Sequence, residues 1–305
     1  MLQVTPNGPW GRDVHAAIPV SLDELVLDLR ACFEVGATGV HLHVRDQSGA
    51  ETLHPSIVGE TCRRVRETAE EVGVSVEIGL TTGVWIVADL AERIAMIREW
   101  EGVDCATVNL SEQGFEQVMA AMLDVGIGVD VGLWAPLEMN RLIQSGLLPR
   151  VQRVSIELDP GEPYFLQGEP TQLAQQVNDA LDDAGSTCPR LTHGMNEWTW
   201  PLVQDAFRRG HDTRVGFEDS VLLPDGTIAQ SNAQVFAVRA AAHEIPEQCL
   251  FGSNTPYGDV VAARHTVEAA ISDPAVLQQI LHNNTAALIQ SHKGGLLGPQ
   301  PSGCC

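Results

Sequence analysis

Two histidines separated by one residue form the clearest chemical signal in the sequence. They lie in the segment Gly39-Val-His-Leu-His-Val-Arg-Asp46. Side chains two residues apart on a β-strand point to the same side, so His41 and His43 are predicted to share one face. Two adjacent imidazoles are half of a metal site. Taken alone, the segment fits a pair of hydrogen-bonded core histidines equally well.

A second charged segment, Arg214-Val-Gly-Phe-Glu-Asp219, lies at the end of the last predicted strand. Strand alternation predicts Arg214, Gly216 and Glu218 on one face, with Gly216 leaving room for a bulky group between the charges. Glu218 would complete a His₂Glu set with open coordination positions, the pattern of catalytic zinc. An ordinary strand-end salt bridge is the alternative. The two segments together favour a metal site.

Neutral polar residues follow or end several other predicted strands. Such groups can hold a carboxylate or an oxyanion without adding charge. Turn formation and β-propensity explain each of them equally well when it is taken singly. The candidates are Thr81, Thr82, Gly83, Thr107, Asn109 and, with weaker support, Asn7 and His193.

Five of the six tryptophans follow the first, third, fifth and seventh predicted strands. Aromatic residues on strand-end loops predict an aromatic cavity mouth, suited to an apolar group or to a cation above ring faces. Packing of loops against helices is the alternative interpretation. The five are Trp10, Trp85, Trp134, Trp198 and Trp200.

Eight β-rich segments alternate with eight amphipathic segments, which predicts a (β/α)₈ TIM barrel. The clearest helix covers 21–35, where Ser21 and Glu24 form a capping box and Gly36 can end the helix. A doubly wound open sheet is the alternative, but no G-x-G-x-x-G or P-loop segment supports it. The predicted strands are 2–5, 39–44, 75–80, 105–110, 128–133, 151–158, 190–193 and 213–217.

The barrel is predicted to occupy residues 1–258 as the catalytic domain. Two further helical segments over 259–292 predict a C-terminal helical extension of the same domain. The end, residues 293–305, is rich in Gly and Pro and is predicted to be a flexible tail. In a barrel of this type, chemistry occurs at the C-terminal ends of the strands.

The composition excludes several classes of function. The 305 residues include 40 Asp plus Glu and 18 Lys plus Arg, a net charge of −22, which disfavours nucleic acids and membrane surfaces as partners. Lys293 is the single lysine, which argues against Schiff-base chemistry. Seven scattered cysteines favour a reduced, cytoplasmic protein. We find no signal-like start and no long apolar run, so we expect neither secretion nor a membrane span.

In combination, these segments resemble the β-keto acid cleavage enzyme family. The resemblance extends from about residue 2 to about residue 243 and depends most on the two charged segments, which are specific as a pair. The positions that carry it are Gly36-Ala37, His41-Leu-His-Val-Arg-Asp46, Thr82-Gly83, Ala106-Thr-Val-Asn109, Arg214-Val-Gly-Phe-Glu-Asp219 and Asn232-Ala233.

Members of that family are zinc-dependent barrels, usually tetrameric, that convert a β-keto acid and acetyl-CoA into acetoacetate and a new acyl-CoA. The resemblance therefore implies Zn²⁺, a CoA ester as cosubstrate and a homotetramer. It implies that His41, His43 and Glu218 bind the metal. It implies Arg214 and Asp219 as the catalytic pair, with Asp219 accepting a proton from C2. The substrate would contact Thr81, Thr82, Gly83, Thr107, Asn109, Asn7, Trp10, Trp134 and His193.

Two segments depart from the family members that cleave 3-keto-5-aminohexanoate. Those members have glutamates after the first strand and on the fifth, which receive the substrate's ammonium group. Here the segments read Asn7-Gly-Pro-Trp10 and Asp130-Val-Gly-Leu-Trp134, and whether Asp130 faces the cavity is left open. We therefore expect a different β-keto acid, with an apolar or aromatic-compatible side group as first choice and a quaternary ammonium as second.

Two other functions remain open at this point. Metal-dependent amidohydrolases also use an H-x-H pair, but theirs lies on the first strand and is often joined by a bridging lysine. A non-catalytic zinc-binding barrel is the other alternative. If CoA binds, some of the 17 arginines must lie near the cavity rim, and Arg12 and Arg45 are the first candidates.

Overall fold

A computed structural model describes residues 2–161 and 168–238, together with Gln278. Within these residues, eight parallel strands form one sheet that curves into a nearly closed barrel. The predicted (β/α)₈ fold is confirmed. The strands are β1 Leu2–Val4, β2 Gly39–Leu42, β3 Glu77–Thr81, β4 Cys105–Asn109, β5 Gly128–Leu133, β6 Arg153–Leu158, β7 Arg190–Gly194 and β8 Thr213–Val215.

A helix follows each strand, as the alternating pattern predicts. The observed bounds differ from the predicted ones by a few residues, mostly because short 3₁₀ turns precede α5 and α7. The helices are α1 Leu22–Glu34, α2 Pro55–Glu71, α3 Leu90–Arg98, α4 Phe115–Asp124, α5 Met139–Ser145, α6 Pro170–Asp183, α7 Thr199–Arg209 and α8 Asn232–Val238.

The barrel closes between β7 and β8 through few hydrogen bonds. Leu191 forms a parallel bridge with Asp212, one residue before β8 begins. The hydroxyl of Thr213 donates to the carbonyl of Thr192 at 2.7 Å. Closure leaves all eight strand ends on one rim, which is where this fold presents its functional groups.

Helix α1 begins as its sequence predicts. Ser21 accepts a hydrogen bond from the backbone N–H of Glu24 at 3.3 Å, and the Glu24 carboxylate accepts from the backbone N–H of Ser21 at 3.1 Å. This capping box satisfies two amides that have no partner within the helix. Gly36, with φ of +97°, then turns the chain just after the helix ends, toward β2.

The segment after β8 differs from the predicted alternation. The strand ends at Val215, and the chain then turns so that the backbone N–H of Asp219 donates to the carbonyl of Gly216 at 3.0 Å. A Cβ at Gly216 would lie 2.2 Å from the carbonyl oxygen of Thr5, so Gly216 permits close approach of β1 and leaves no room for a ligand. Glu218 therefore reaches the strand-end rim from a turn and not by period-two alternation.

A charged network fills the opposite end of the barrel. It includes Asp130, whose orientation relative to the cavity could not be predicted from the sequence. Arg153, the first residue of β6, contacts the carboxylates of Asp130 and Glu77. Arg153 and Asp130 are both buried. The Asp130 carboxyl therefore belongs to a structural ion-pair network, and it does not line the cavity among the strand ends.

The side chain of Asn232 joins three segments of the barrel. Its amide donates to the carbonyl of Pro6 and to the carboxylate of Asp28, each at 2.9 Å, and its oxygen accepts from the backbone N–H of Phe217 at 2.7 Å. These bonds connect the loops that follow β1 and β8 with α1. Burial in this contact raises the pKa of Asp28 to about 7, against the smaller opposing effect of the Asn232 hydrogen bond.

The variant Asp28→Asn is expected to be more stable than the natural protein at pH 8. The folded state holds the Asp28 proton more tightly than the unfolded state, so the contribution of Asp28 to stability falls between pH 3.8 and about 7. In the variant, the amide oxygen at position 28 can still accept the hydrogen bond from Asn232, and the neutral amide carries no charge that burial would penalise. We expect a gain of about 2 kcal/mol, less than the full pKa shift implies because the side chain is partly exposed.

Urea unfolding of both proteins at several pH values between 4 and 8 tests this prediction. The difference in the free energy of unfolding should grow as the pH rises. A difference that is independent of pH would show that Asp28 ionises normally in the folded protein.

The predictions for the C-terminal part of the chain concern residues that follow the described barrel. Packing divides the chain into two compact units, Met1–Ala237 and Val238–Cys305. The predicted end of the barrel at 258, the helical extension over 259–292 and the tail over 293–305 lie outside the described residues, apart from Gln278. None of the described helices is long and apolar enough to span a bilayer.

Candidate metal centre and active site

The two histidines and Glu218 meet at the strand-end rim, as the sequence predicts. The Nε2 atoms of His41 and His43 lie 3.9 Å and 3.6 Å from Oε1 of Glu218, and all three residues are buried. Their ligand atoms lie within 4.8 Å of one another. Oε2 of Glu218 is also buried and has no hydrogen-bond partner among the described residues. An unsatisfied carboxylate oxygen beside two imidazoles fits a bound divalent cation.

Contacts to the backbone fix two of the candidate ligands, His43 and Glu218, in place. The side chain of Asn7 forms two hydrogen bonds with the backbone of His43. It donates to the carbonyl at 2.9 Å and accepts from the N–H at 3.3 Å. The backbone N–H of Glu218 donates to the carbonyl of Thr5 at 3.1 Å, and the indole of Trp10 donates to the carbonyl of Glu218 at 2.9 Å. Asn7 thus acts as a positioning residue behind the ligands.

The two imidazoles differ in their electrostatics. Burial and the nearby Arg214 guanidinium hold the pKa of His41 well below 6.5, so its ring is neutral. Burial acts in the same direction on His43, but the carboxylates of Glu218 and Glu51 outweigh it and raise the pKa of His43 to about 9. The excess negative charge around His43 favours a cation at this place.

Glu51 orients His43 from the side away from Glu218. Its Oε1 lies 2.6 Å from Nδ1 of His43, and its Oε2 accepts from the indole N–H of Trp85 at 3.2 Å. The His43 and Trp85 rings stack at 6.2 Å between centroids. A carboxylate on one ring nitrogen directs the other nitrogen toward a metal and increases its basicity. The same carboxylate also fixes an aromatic wall.

The variant Glu51→Ala is expected to weaken metal binding by about 10-fold to 100-fold, because His43 loses the group that fixes its tautomer and orientation. Glu51→Gln should lose less, since its amide oxygen can still accept from Nδ1. Competition with a chelator of known affinity measures the effect. Glu67→Gln, a charge loss on the exposed face of α2, is the matched control. Equal metal affinity in Glu51→Ala and the natural protein would contradict the orienting role.

Arg214 is surrounded by three carboxylates. Its Nη2 lies 2.8 Å from Glu218, 3.1 Å from Asp219 and 3.6 Å from Glu157. Burial opposes its charge, but these carboxylates raise the pKa of Arg214, so the guanidinium remains protonated. His193 also contacts the guanidinium, with Nδ1 accepting from Nε of Arg214 at 3.2 Å.

Asp219 is fully buried behind Arg214. Its Oδ2 accepts from the Thr5 hydroxyl at 2.6 Å, and its Oδ1 lies 3.3 Å from Nδ1 of His193. Although burial opposes ionisation, the Arg214 guanidinium lowers the pKa of Asp219. Asp219 is therefore an ionised carboxylate whose orientation is fixed on both oxygens.

A cavity of about 410 Å³ opens above the three candidate ligands. Its wall combines aromatic and apolar side chains with polar and charged ones. The described residues that line it are Pro9, Trp10, His41, His43, Thr81, Trp85, Thr107, Asn109, Trp134, Glu157, Asp159, Met195, Arg214 and Glu218. Most of the predicted site residues thus surround one space.

Four predicted substrate-binding residues lie just behind that lining. The hydroxyl of Thr82 donates to the carbonyl of Thr107 at 2.7 Å, and the backbone N–H of Gly83 donates to the Thr81 hydroxyl at 3.2 Å. The Gly83 amide is therefore already satisfied. Asn7 and His193, described above, likewise support lining residues.

Three of the five predicted mouth tryptophans line the cavity: Trp10, Trp85 and Trp134. Trp198 and Trp200 are not among the described lining residues, and the indole of Trp200 donates to the carbonyl of Leu222 at 2.9 Å. The guanidinium of Arg45 donates to the carbonyls of Gly8 and Trp10. It thereby holds the loop after β1, while Arg12 pairs with Glu24 at the surface.

Three acidic residues near the site were not predicted from the sequence: Glu51, Glu157 and Asp159. Glu157 and Asp159 alternate at the end of β6, a pattern as visible as the histidine pair, and period-two alternation at a strand end would have found them. Glu51 lies in a short antiparallel bridge with Arg45, and no sequence pattern predicts that it folds back onto His43.

Fold and site together define a (β/α)₈ barrel enzyme with a candidate metal centre of two histidines and one glutamate in its strand-end cavity. Comparison with known proteins agrees. Residues 1–249 match the family described as beta-keto acid cleavage enzyme, so the chain belongs to that family.

Two relatives share about a fifth of their residues with this chain. A 3-keto-5-aminohexanoate cleavage enzyme of Fusobacterium nucleatum is 22% identical over 229 residues, 73% of this chain and 83% of the relative. A 3-oxoadipate:acetyl-CoA acetyltransferase of Cupriavidus necator is 21% identical over 252 residues, 79% of this chain and 86% of the relative.

Among solved structures, the homocysteine methyltransferase MmuM of Escherichia coli superposes with a TM-score of 0.50. It is 9% identical, and the match covers 78% of this chain and 94% of that one. At this level of identity the likeness concerns the fold alone.

Proposed function

We propose that this protein is a zinc-dependent β-keto acid cleavage enzyme, which converts a β-keto acid and acetyl-CoA into acetoacetate and a new acyl-CoA. The observation that carries the proposal is the buried His41–His43–Glu218 cluster beside Arg214 in the cavity of a family member. The names of the two relatives, one a cleavage enzyme and one an acetyl-CoA acetyltransferase, support the same chemistry.

The donor set supports zinc as the metal. Two imidazole nitrogens and one carboxylate, with further positions open to ligands, are typical of catalytic zinc sites. When bound, zinc supplies a Lewis acid that polarises the 3-keto oxygen and thereby makes the C2 protons of the substrate acidic. His41, His43 and Glu218 would hold it.

Arg214 and Asp219 would act as the catalytic pair. Arg214 lines the cavity with a permanent positive charge, which suits it to stabilise negative charge that develops on the substrate. Asp219 would accept the C2 proton. Because its carboxylate is covered by Arg214 and Thr5, the substrate must displace one of these contacts before the proton can be transferred.

The remaining bond changes need no reactant besides the β-keto acid and acetyl-CoA. The C2 carbanion attacks the carbonyl carbon of acetyl-CoA, and CoA leaves as a thiolate. The thiolate adds to the C3 carbonyl, and the C2–C3 bond breaks. The C1–C2 unit leaves with the acetyl group as acetoacetate, while the remaining acyl group leaves as its CoA thioester, and the proton on Asp219 is returned.

The neutral polar residues would hold the substrate carboxylate and the developing oxyanions. Thr81, Thr107 and Asn109 line the cavity beside the candidate ligands. The Thr81 oxygen accepts from Gly83, which leaves its hydroxyl proton available for a ligand. Thr82, Gly83, Asn7 and His193 would act through the lining residues they contact.

The remaining parts of the proposal concern the state of the protein in the cell. We expect a homotetramer in the cytoplasm with small molecules as its partners, the acetyl-CoA and the β-keto acid. Light scattering of the purified protein measures the oligomeric state.

Incubation of the zinc-loaded protein with acetyl-CoA and a panel of β-keto acids tests the function. Acetoacetate and the matching acyl-CoA should appear in equal amounts. Product formation without any CoA ester would instead support an amidohydrolase-like hydrolase. Absence of turnover with every β-keto acid, despite stoichiometric zinc, would support a non-catalytic zinc-binding barrel.

A further inference from the structure

One buried ion pair of the barrel contains neither a candidate metal ligand nor a described residue of the cavity lining. Nη1 of Arg93, on α3, lies 2.9 Å from Oε2 of Glu112, in the loop after β4, and their side chains are 1% and 8% exposed. The same nitrogen of Arg93 donates to the carbonyl of Thr82 at 3.3 Å, just after β3. Removing two charges from water costs free energy, so stability alone explains such a pair poorly.

The other oxygen of Glu112 connects two parts of the cavity wall. Its Oε1 accepts from Nδ2 of Asn109 at 3.1 Å and from the backbone N–H of Val84 at 3.3 Å. The backbone N–H of Glu112 also donates to the carbonyl of Asn109 at 3.1 Å. Asn109 lines the cavity, as does Trp85, the residue that follows Val84. One carboxylate therefore contacts the end of β4 and the loop after β3.

The oxygen end of the Asn109 amide is confined by β5. Gly132 pairs with Asn109 in the register of β4 and β5, and a Cβ at Gly132 would lie 2.4 Å from Oδ1 of Asn109. The glycine therefore leaves the space in which that oxygen lies. At the other end the carboxylate of Glu112 can only accept, so the amide nitrogen must face it. Since this nitrogen carries two N–H groups, the second one remains for a ligand.

Resting on the proposed function, we propose that Glu112 is a positioning residue, which Arg93 holds in place and which orients the Asn109 amide toward the substrate. The oriented amide donates its second N–H to negative charge that develops on a substrate oxygen. A donor that is already in place stabilises the transition state more than one that has to turn during the reaction. Arg93 supplies the counter-charge that keeps the carboxylate of Glu112 in this position.

The variant Glu112→Gln tests the orientation with little change in the shape of the side chain. Arg93 requires an acceptor, so the oxygen of the new amide should face Arg93 and its N–H groups should face Asn109. Asn109 then has to turn its own oxygen toward position 112. In protein labelled with ¹⁵N at asparagine, the side-chain signals of Asn109 are those that disappear in Asn109→Ala. These signals should shift in Glu112→Gln.

Glu77→Gln is the matched control for the spectra and for turnover. It makes the same change beside another buried arginine, Arg153, at the opposite end of the barrel. The control should lose stability but leave the signals of Asn109 in place and keep kcat/KM within about twofold.

A double-mutant cycle shows whether Glu112 acts through Asn109. With zinc-loaded enzyme, acetyl-CoA and the best β-keto acid of the panel, Glu112→Gln should lower kcat/KM by about 10-fold. In the Asn109→Ala background the same substitution should cost less than about twofold, because the group that it positions is gone. A residue that only stabilises the fold would cost the same in both backgrounds.

Gly132→Ala disturbs the same amide from its oxygen end and leaves the ion pair untouched. It should also shift the signals of Asn109 and lower kcat/KM by about 10-fold, again with less than about twofold effect in the Asn109→Ala background. This variant keeps the proposal testable if Glu112→Gln folds poorly.

The possible results separate this proposal from the proposed function. Unshifted signals of Asn109 in Glu112→Gln, or an equal loss of kcat/KM with and without Asn109, would overturn the positioning role while the enzyme still makes an acyl-CoA. Absence of turnover with every β-keto acid would contradict the proposed function. The spectra would then still decide whether Glu112 orients Asn109.

Discussion

Asp219→Asn is expected to lower kcat by about 10³-fold while the protein still binds its metal stoichiometrically. An amide cannot accept the C2 proton, and it carries no charge to oppose Arg214. The metal should remain because Asp219 does not belong to the candidate ligand cluster of His41, His43 and Glu218. The two measurements are steady-state turnover and metal content of the same preparation.

Asp205→Asn provides a matched control for that experiment. Asp205 is also a buried aspartate in ion pairs, but its partners Arg208 and Arg209 lie on α7, outside the cavity lining. Its variant should keep kcat within about twofold, even where it loses stability. Thermal unfolding of both variants separates a catalytic effect from a folding defect.

Glu157 is the residue that would take over the role of base if the assignment to Asp219 is wrong. It lines the cavity directly, and although burial opposes its ionisation, Arg214 lowers its pKa. Should Glu157→Gln abolish turnover while Asp219→Asn retains a tenth of it, the C2 proton would go to Glu157. Asp219 would then serve to orient Arg214.

The fold was predictable because its signals are local. Capping residues, strand alternation and chain length are all visible in the sequence, and the Ser21–Glu24 box was found at the predicted place. The end of β8 was not predictable in the same way. Its conformation depends on how closely β1 packs against Gly216, a contact between residues more than two hundred positions apart.

The candidate site likewise contains residues that local sequence patterns predict and residues that only distant contacts bring together. His41 and His43 were found because they are two residues apart at the end of one strand. Glu218 does lie beside them, although strand alternation was the wrong geometric reason to expect it. Glu51 was missed because its contact with His43 is made by a loop that folds back. Asp159 lines the same cavity as three tryptophans from other loops, a juxtaposition that only the fold creates.

His41→Ala is expected to abolish stoichiometric metal binding and, with it, turnover. Removing one of the three candidate ligands leaves His43 and Glu218, and two protein ligands rarely retain a divalent cation when the protein is diluted. The change also removes a buried neutral imidazole that faces the other two ligand atoms. Metal analysis after gel filtration should give less than about 0.1 ion per chain.

His54→Ala is the control, because His54 is exposed at the start of α2 and lies outside the ligand cluster. Added zinc should raise the melting temperature of the natural protein and of this control, since a ligand that binds the folded state stabilises it. The melting temperature of His41→Ala should not respond. One zinc per chain persisting in His41→Ala would contradict the ligand assignment, and the Lewis-acid step that depends on it would then need a different site.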